Sequence, residues 1–263
     1  MTKFFDAFIS YGRPDSREFA VKLQNSLNQN SFQVWFDAND IPLGVDFQNL
    51  YNDGIEKADN FLFIISPHSV NSEYCLKEIK LAIKCNKRII PLLHVDEINR
   101  ETWQQRNPHG TDEEWELYKA EGKHTSFQNM HPIISKINWV YFQEDENDFD
   151  KSLADLVNLL RSHDDYVEKH TRFLIKALEW ERNQKQTRYL LTGEDKKQAQ
   201  DWLKIRFKDE QPPCTPSDLH CEYITESIKN GNNLMTQVML SYAEENRATM
   251  EKIRASLRRE GIT

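Results

Sequence analysis

Glycine is scarce in this chain, eight residues in 263, and nowhere gathers into a loop that could cradle phosphates. Cysteine is rarer still, at Cys75, Cys85, Cys214 and Cys221 only. No Cys-x-x-Cys pair is present, which argues against a disulfide scaffold or a zinc ribbon; Cys214, His220 and Cys221 lack a fourth ligand at sensible spacing, so no metal is expected. Long apolar runs are missing too. The longest, Phe61 to Ile65 and Ile89 to Leu93, fall far short of the roughly 18 to 20 residues of a membrane span. There is no excess of positive charge: 34 Lys and Arg stand against 42 Asp and Glu, a net charge of -8. All of that charge lies in residues 1–161, with 17 basic against 25 acidic side chains, whereas residues 162–263 hold 17 of each. Such a surface repels phosphate backbones and anionic lipid, so neither nucleic acid nor membrane is an expected partner, although one basic pocket could still take a small anion. The N-terminus lacks the basic start and small-residue cleavage site of a secretory signal, which with the few cysteines points to a reducing cytoplasm.

What is present is a globular composition, 38% hydrophobic and 11% aromatic, in a chain long enough for one large domain and a smaller companion. Over residues 1–161 short apolar runs alternate with helical patterns. Asp6 to Ser10 reads as a strand, Phe19, Leu23 and Leu27 as a helix face, and Phe32 to Phe36 and Phe61 to Ile65 as further strands. A helix from Ser72 to Cys85 starts at a Ser72 N-cap, and Arg88 to Leu93 follows as a strand. Residues 97–131 interrupt the alternation as a helix-containing insertion, before a strand at Ile137 to Phe142 and a helix at Phe149 to Leu160. This βαβα order predicts an α/β fold, a doubly wound parallel sheet of flavodoxin-like type. Its ligand crevice is expected outside the carboxyl ends of the strands, where Ser10 to Arg13, Asp37 to Asp46 and Ser66 to Ser69 fall.

Residues 162–233 read as a small all-helical module, with apolar stripes at Phe173, Leu174, Ala177, Leu178 and Trp180 and at Ala199, Trp202 and Leu203. A Pro-rich break at Pro212 to Pro216 precedes a third helix from Leu219 to Ile228. Residues 234–263 repeat the chain's own beginning. Val238 to Tyr242 mirrors Ala7 to Tyr11, and Arg247, Lys252, Ser256 and Leu257 fall on Arg17, Lys22, Ser26 and Leu27. One strand and one helix cannot bury an apolar face alone, so the natural protein is expected to continue. Glu244 stands where the first copy has Arg13, and that copy is expected to be non-catalytic.

Four ordered blocks in residues 1–161 resemble the TIR family: Asp6 to Tyr11; Val34 to Asp37 with Ile41 to Phe47; Gly54-Ile55 with Ala58-Asp59 and the strand ending Ser66-Pro67; and Ser72 to Ile79, similar to the family's Ser-x-x-Cys-x-x-Glu helix. Residues 162–233 more loosely resemble the helical segment that follows TIR domains in a group of bacterial proteins. The resemblance implies NAD glycohydrolysis, with NAD as substrate rather than cofactor, giving nicotinamide and ADP-ribose or a cyclic isomer, in bacterial defence or stress signalling. It implies Glu78 as the catalytic residue; spacing alone would leave Glu78 an ordinary solvated helix glutamate.

Nicotinamide departs already carrying positive charge on its ring nitrogen, so no general acid is needed. One carboxylate that holds the ribose hydroxyls and stabilises oxocarbenium character can supply the central interaction. Ser10, Tyr11, Arg13, Asp46 and Phe47 are the candidate substrate-binding residues. Tyr11 and Phe47 could stack on a base or pack internally, and Arg13 could pair with a diphosphate or remain a surface arginine. Trp35, inside a strand, reads as core, and Cys75 reads as a buried thiol rather than a nucleophile. Asp40, Ile41, Pro42 and Gly44 lie in a loop that the resemblance implies packs on a neighbouring TIR domain, so other TIR domains are expected partners by self-association. The rival reading is a non-catalytic TIR scaffold acting by assembly. A receiver-like domain ranks last, since no acidic pair follows the first strand.

Overall fold

Apolar strands covered on both faces should pack helices above and below, and the computed structural model, which describes residues 4–36, 47–144, 146–234 and 240–259, shows this arrangement. In chain order its first part runs β1 (Phe5–Ser10), α1 (Arg13–Gln29), β2 (Val34–Trp35), α2 (Phe47–Lys57), β3 (Ala58–Ile65), α3 (Pro67–Asn71), α4 (Glu73–Lys84) and β4 (Arg88–Leu93). After it come α5 (Arg100–Arg106), α6 (Asp112–Ala120), α7 (Pro132–Ser135), β5 (Val140–Tyr141) and α8 (Phe149–Arg161). All pairings among the five strands are parallel, in the order β2-β1-β3-β4-β5. This is the expected doubly wound α/β sheet, with the chain reversing its direction of winding between β1 and β3.

Alternate residues of each strand feed two cores. Ala7, Ile9, Leu62, Ile64, Ile90 and Leu92 meet Phe19, Leu23 and Leu27 of α1 and Leu156, Val157 and Leu160 of α8. On the other face Phe8, Phe61, Phe63 and Ile65 meet Ile55 of α2 and Cys75, Ile79 and Ala82 of α4. The first helix shows which force holds it. Its N-cap, Gly12, offers no side-chain hydrogen bond, a loss of about a few tenths of a kcal/mol. Phe19, Leu23 and Leu27, buried at spacing four, each contribute about 1.5–3 kcal/mol, so packing outweighs the missing cap.

Two expected strands are shorter in the structure. Of Phe32 to Phe36 only Val34 and Trp35 pair, with Ala7 and Phe8, while Phe32 and Phe36 serve as packing residues against the α1 core. Of Ile137 to Phe142 only Val140 and Tyr141 form β5. The break at 97–131 holds α5 and α6, whose Trp103 and Trp115 form a small core of their own with Ile98.

The chain divides into two compact units, one of residues 1–171 with 213–215 and one of 172–212 with 216–263. The first runs on past Arg161 to Thr171. Buried Thr171 receives a hydrogen bond from Lys87 Nζ at 3.1 Å and donates to the Ala58 carbonyl at 3.3 Å, tying it to the amino-terminal edge of the sheet. The second unit is helical: α9 (Asp164–Arg182) contributes its later residues, followed by α10 (Gly193–Lys204), α11 (Asp218–Leu234) and α12 (Arg247–Arg259). Trp202, buried, packs on Phe173 and His220, and Tyr223 on Trp180. His220 Nδ1 lies 2.7 Å from Ser217 Oγ, a local structural bond. Of the repeated segment, Val238 and Met239 lie outside the described residues, Leu240 to Tyr242 join no strand, and the expected helix is present as α12. Among the described residues no helix is long and apolar enough to cross a membrane, and no cluster of three or more His, Cys, Asp and Glu could hold a metal ion.

Candidate functional site

Where a parallel sheet reverses its winding, the loops after the two flanking strands part and leave a crevice. Here those strands are β1 and β3, and Ser10, the last residue of β1, pairs in register with Phe63 of β3. After β3 the chain turns through α3, closed by a reciprocal cap in which Ser66 Oγ accepts from Ser69 N and Ser69 Oγ from Ser66 N. Ser72 then caps α4, accepting from Cys75 N at 3.4 Å. Cys75 and Ile79 point into the core, and Glu78 between them is half-buried beside the last residue of β1.

The carboxylate of Glu78 does not hang free. Ser10 Oγ, buried at the end of β1, donates to Glu78 Oε2 at 2.6 Å, so the first strand and the fourth helix meet at this oxygen. One turn earlier Cys75 Sγ donates to the Tyr11 carbonyl at 3.6 Å. Burial, with the charge of Glu78 adding to it, pushes the Cys75 thiol up to about 12, so it stays protonated and is no nucleophile.

The other residues singled out in the sequence are dispersed. Tyr11 is half-buried, its ring stacked on Phe36 at 5.2 Å and packed on the α1 core, which favours the packing alternative. Trp35 lies flat on Phe8, ring centroids 4.6 Å apart, and is a packing residue. Arg13 is exposed at the first turn of α1 and lines a cavity of about 690 Å³ with Phe19, His94 and Glu144; Glu78 is not in its wall. Phe47 opens α2. Asp40, Ile41, Pro42, Gly44 and Asp46 lie outside the described residues.

Several polar groups near the same edge escaped the sequence reading. The Asp15 side chain, fully buried, accepts from His68 N at 2.5 Å and pairs with Arg106 of the insertion. His94, stacked on Phe19 at 4.2 Å, has its Nδ1 3.0 Å from Ser16 Oγ, and burial lowers its pKa. Only Asp15 had a local signal, as an acid in the first turn of a helix. At the opposite edge, Lys87 donates to the Glu56 carbonyl at 2.8 Å, and burial pushes it down to about 8 while raising Asp59 to about 7. Perturbed groups often mark active sites, but this pair lies at the amino-terminal end of the strands, away from the crevice, and is structural.

The family model described as "TIR domain" matches residues 7–121. Over 97 residues the chain is 30% identical to a 2' cyclic ADP-D-ribose synthase of Bacteroides thetaiotaomicron, covering 35% of this chain and 34% of that protein. Over 101 residues it is 31% identical to an NAD(+) hydrolase of Drosophila melanogaster, covering 35% of this chain and 7% of the other. The chain thus spans about a third or less of the length of these relatives. Among solved structures, the TIR domains of the activated Roq1 resistosome align with a TM-score of 0.41 at 14% identity, over 59% of this chain and 99% of that one.

Proposed function

The chain carries a TIR domain at residues 7–121, and from that premise we propose that it cleaves the nicotinamide–ribose bond of NAD, with Glu78 as the catalytic residue. The observation that carries this reading is the Ser10–Glu78 pair: a braced carboxylate at the winding reversal of the sheet, where such folds bind ligands. The 30% and 31% identical relatives, named for NAD chemistry, support the substrate. In the reaction the C–N bond breaks with its electron pair going to the pyridinium nitrogen, so nicotinamide leaves neutral. The positive charge passes to the ribose ring, and the Glu78 carboxylate stabilises it beside the ribose hydroxyls. Water, or a nucleophilic group within the ADP-ribose itself, then closes on the anomeric carbon and gives up its proton to solvent, yielding ADP-ribose or a cyclic isomer. We place the activity in defence or stress signalling on the family resemblance.

We further propose that the site is completed by a neighbouring TIR domain, through the loop containing Asp40, Ile41, Pro42 and Gly44. Specific activity should then rise with enzyme concentration, and a rate strictly proportional to enzyme from nanomolar upward would refute this. For the chemistry, the chain is incubated with NAD, nicotinamide release is followed, and products are identified by mass. Glu78→Gln, which keeps size and loses charge, should lower turnover by about 10²–10³-fold with folding intact. Turnover unchanged in a folded Glu78→Gln protein would overturn the assignment and favour a scaffold.

A further inference from the structure

We propose that Ser10 is a positioning residue for Glu78, setting the orientation of the carboxylate, and is not itself a substrate ligand; this rests on the NAD-cleaving reading above. A half-exposed glutamate on a helix has three rotatable side-chain bonds and settles in one geometry only when something outside the helix holds it. That hold comes from the sheet. Ser10 is fixed by its ladder register with Phe63, is 1% exposed, and directs its only proton to Glu78 Oε2 at 2.6 Å. This distance falls within the range of a hydroxyl bonded to an ionised carboxylate, a contact about twice as strong as a neutral one.

The anchored oxygen holds the carboxylate in place before substrate arrives, so no reorganisation is needed as charge develops. Cys75 adds a second tether, its thiol on the Tyr11 carbonyl joining the same strand end to the same helix. The proton of this hydroxyl is already committed to Glu78, and at 1% exposure its oxygen is closed to a donor from substrate.

The test compares Ser10→Ala, Ser10→Thr and Glu78→Gln in the full chain, measuring kcat and KM for NAD, with circular dichroism as a check on folding. Ser10→Ala should lower kcat about tenfold and leave KM within about twofold. Ser10→Thr, which restores the hydroxyl, should recover most of the rate. If Ser10→Ala does not fold, Ser10→Cys keeps a small side chain with a weak donor and should give the same fall in kcat in reduced size. A raised KM with unchanged kcat would make Ser10 a substrate ligand, and an unmoved kcat would make the bond merely structural; either overturns the proposal. Full turnover by Glu78→Gln would instead bring down the reading beneath it, whatever Ser10 does.

Discussion

Replacing Gly54 by Ala sets two known effects against each other in one residue. In an exposed helix the change stabilises by about 1 kcal/mol, because glycine forfeits more conformational freedom on folding. In α2 the added Cβ would lie 2.9 Å from Trp35 Cε2 and 3.0 Å from Trp35 Cδ2, closer than side-chain carbons approach. The indole cannot retreat freely, since it lies flat on Phe8 at 4.6 Å with 9° between planes, and Phe8 lies on Phe61 at 5.7 Å. Overpacking of this kind costs about 1–3 kcal/mol. The balance is about 1 kcal/mol of destabilisation, which for a chain of this size lowers Tm by about 2–4 °C. Thermal unfolding followed by circular dichroism reads the sign directly. Making the same change in a Trp35→Leu background removes the obstacle, so there Gly54→Ala should become neutral or stabilising, with a coupling of about 1 kcal/mol. A rise in Tm for Gly54→Ala in the original background would refute the sandwich.

Two further outcomes follow from burial. Under native conditions near pH 8, iodoacetamide should label exposed Cys221 well before Cys75 or Cys214, whose thiols burial pushes up to about 12; mass spectrometry of the digest checks this, and early labelling of Cys75 would contradict its buried, protonated state. Asp59 keeps its proton in the folded chain up to about 7, whereas the unfolded chain releases it near 3.8, so its favourable contribution is complete below pH 3.8 and is lost as pH rises toward 7. Asp59→Asn should therefore gain stability relative to the parent across that window in urea titrations, and parallel pH profiles for the two proteins would count against it.

Much of this fold was legible because its signals are local. Continuous apolar runs gave β1, β3 and β4, and Ser72 marked the start of α4 within one residue. The run Phe32 to Phe36 misled on length because aromatic side chains that pack on a core read the same as those in a ladder, and only Val34 and Trp35 pair. The candidate site was half legible. Ser10 and Glu78 each stood out within a motif, yet their bond spans 68 positions and has no local signature. The Asp15 contacts with His68 and Arg106 and the Ser16–His94 pair are hidden for the same reason: each joins groups more than fifty positions apart that only the folded sheet edge brings together.

Gly12 makes a close approach to the turn after β3. A Cβ at Gly12 would meet Ser69 N at 2.7 Å, Ser66 Oγ at 3.0 Å and His68 Cβ at 3.1 Å, so the backbone two residues beyond Ser10 rests directly on the capped turn of α3. That turn is itself held by Asp15 through His68 N, and Asp15 is held by Arg106. Arg106 in the insertion is thus joined to the Ser10 hydroxyl on Glu78 by one unbroken run of contacts, through Asp15, the His68 turn, Gly12 and two residues of backbone, although the two ends lie far apart in sequence and on different elements.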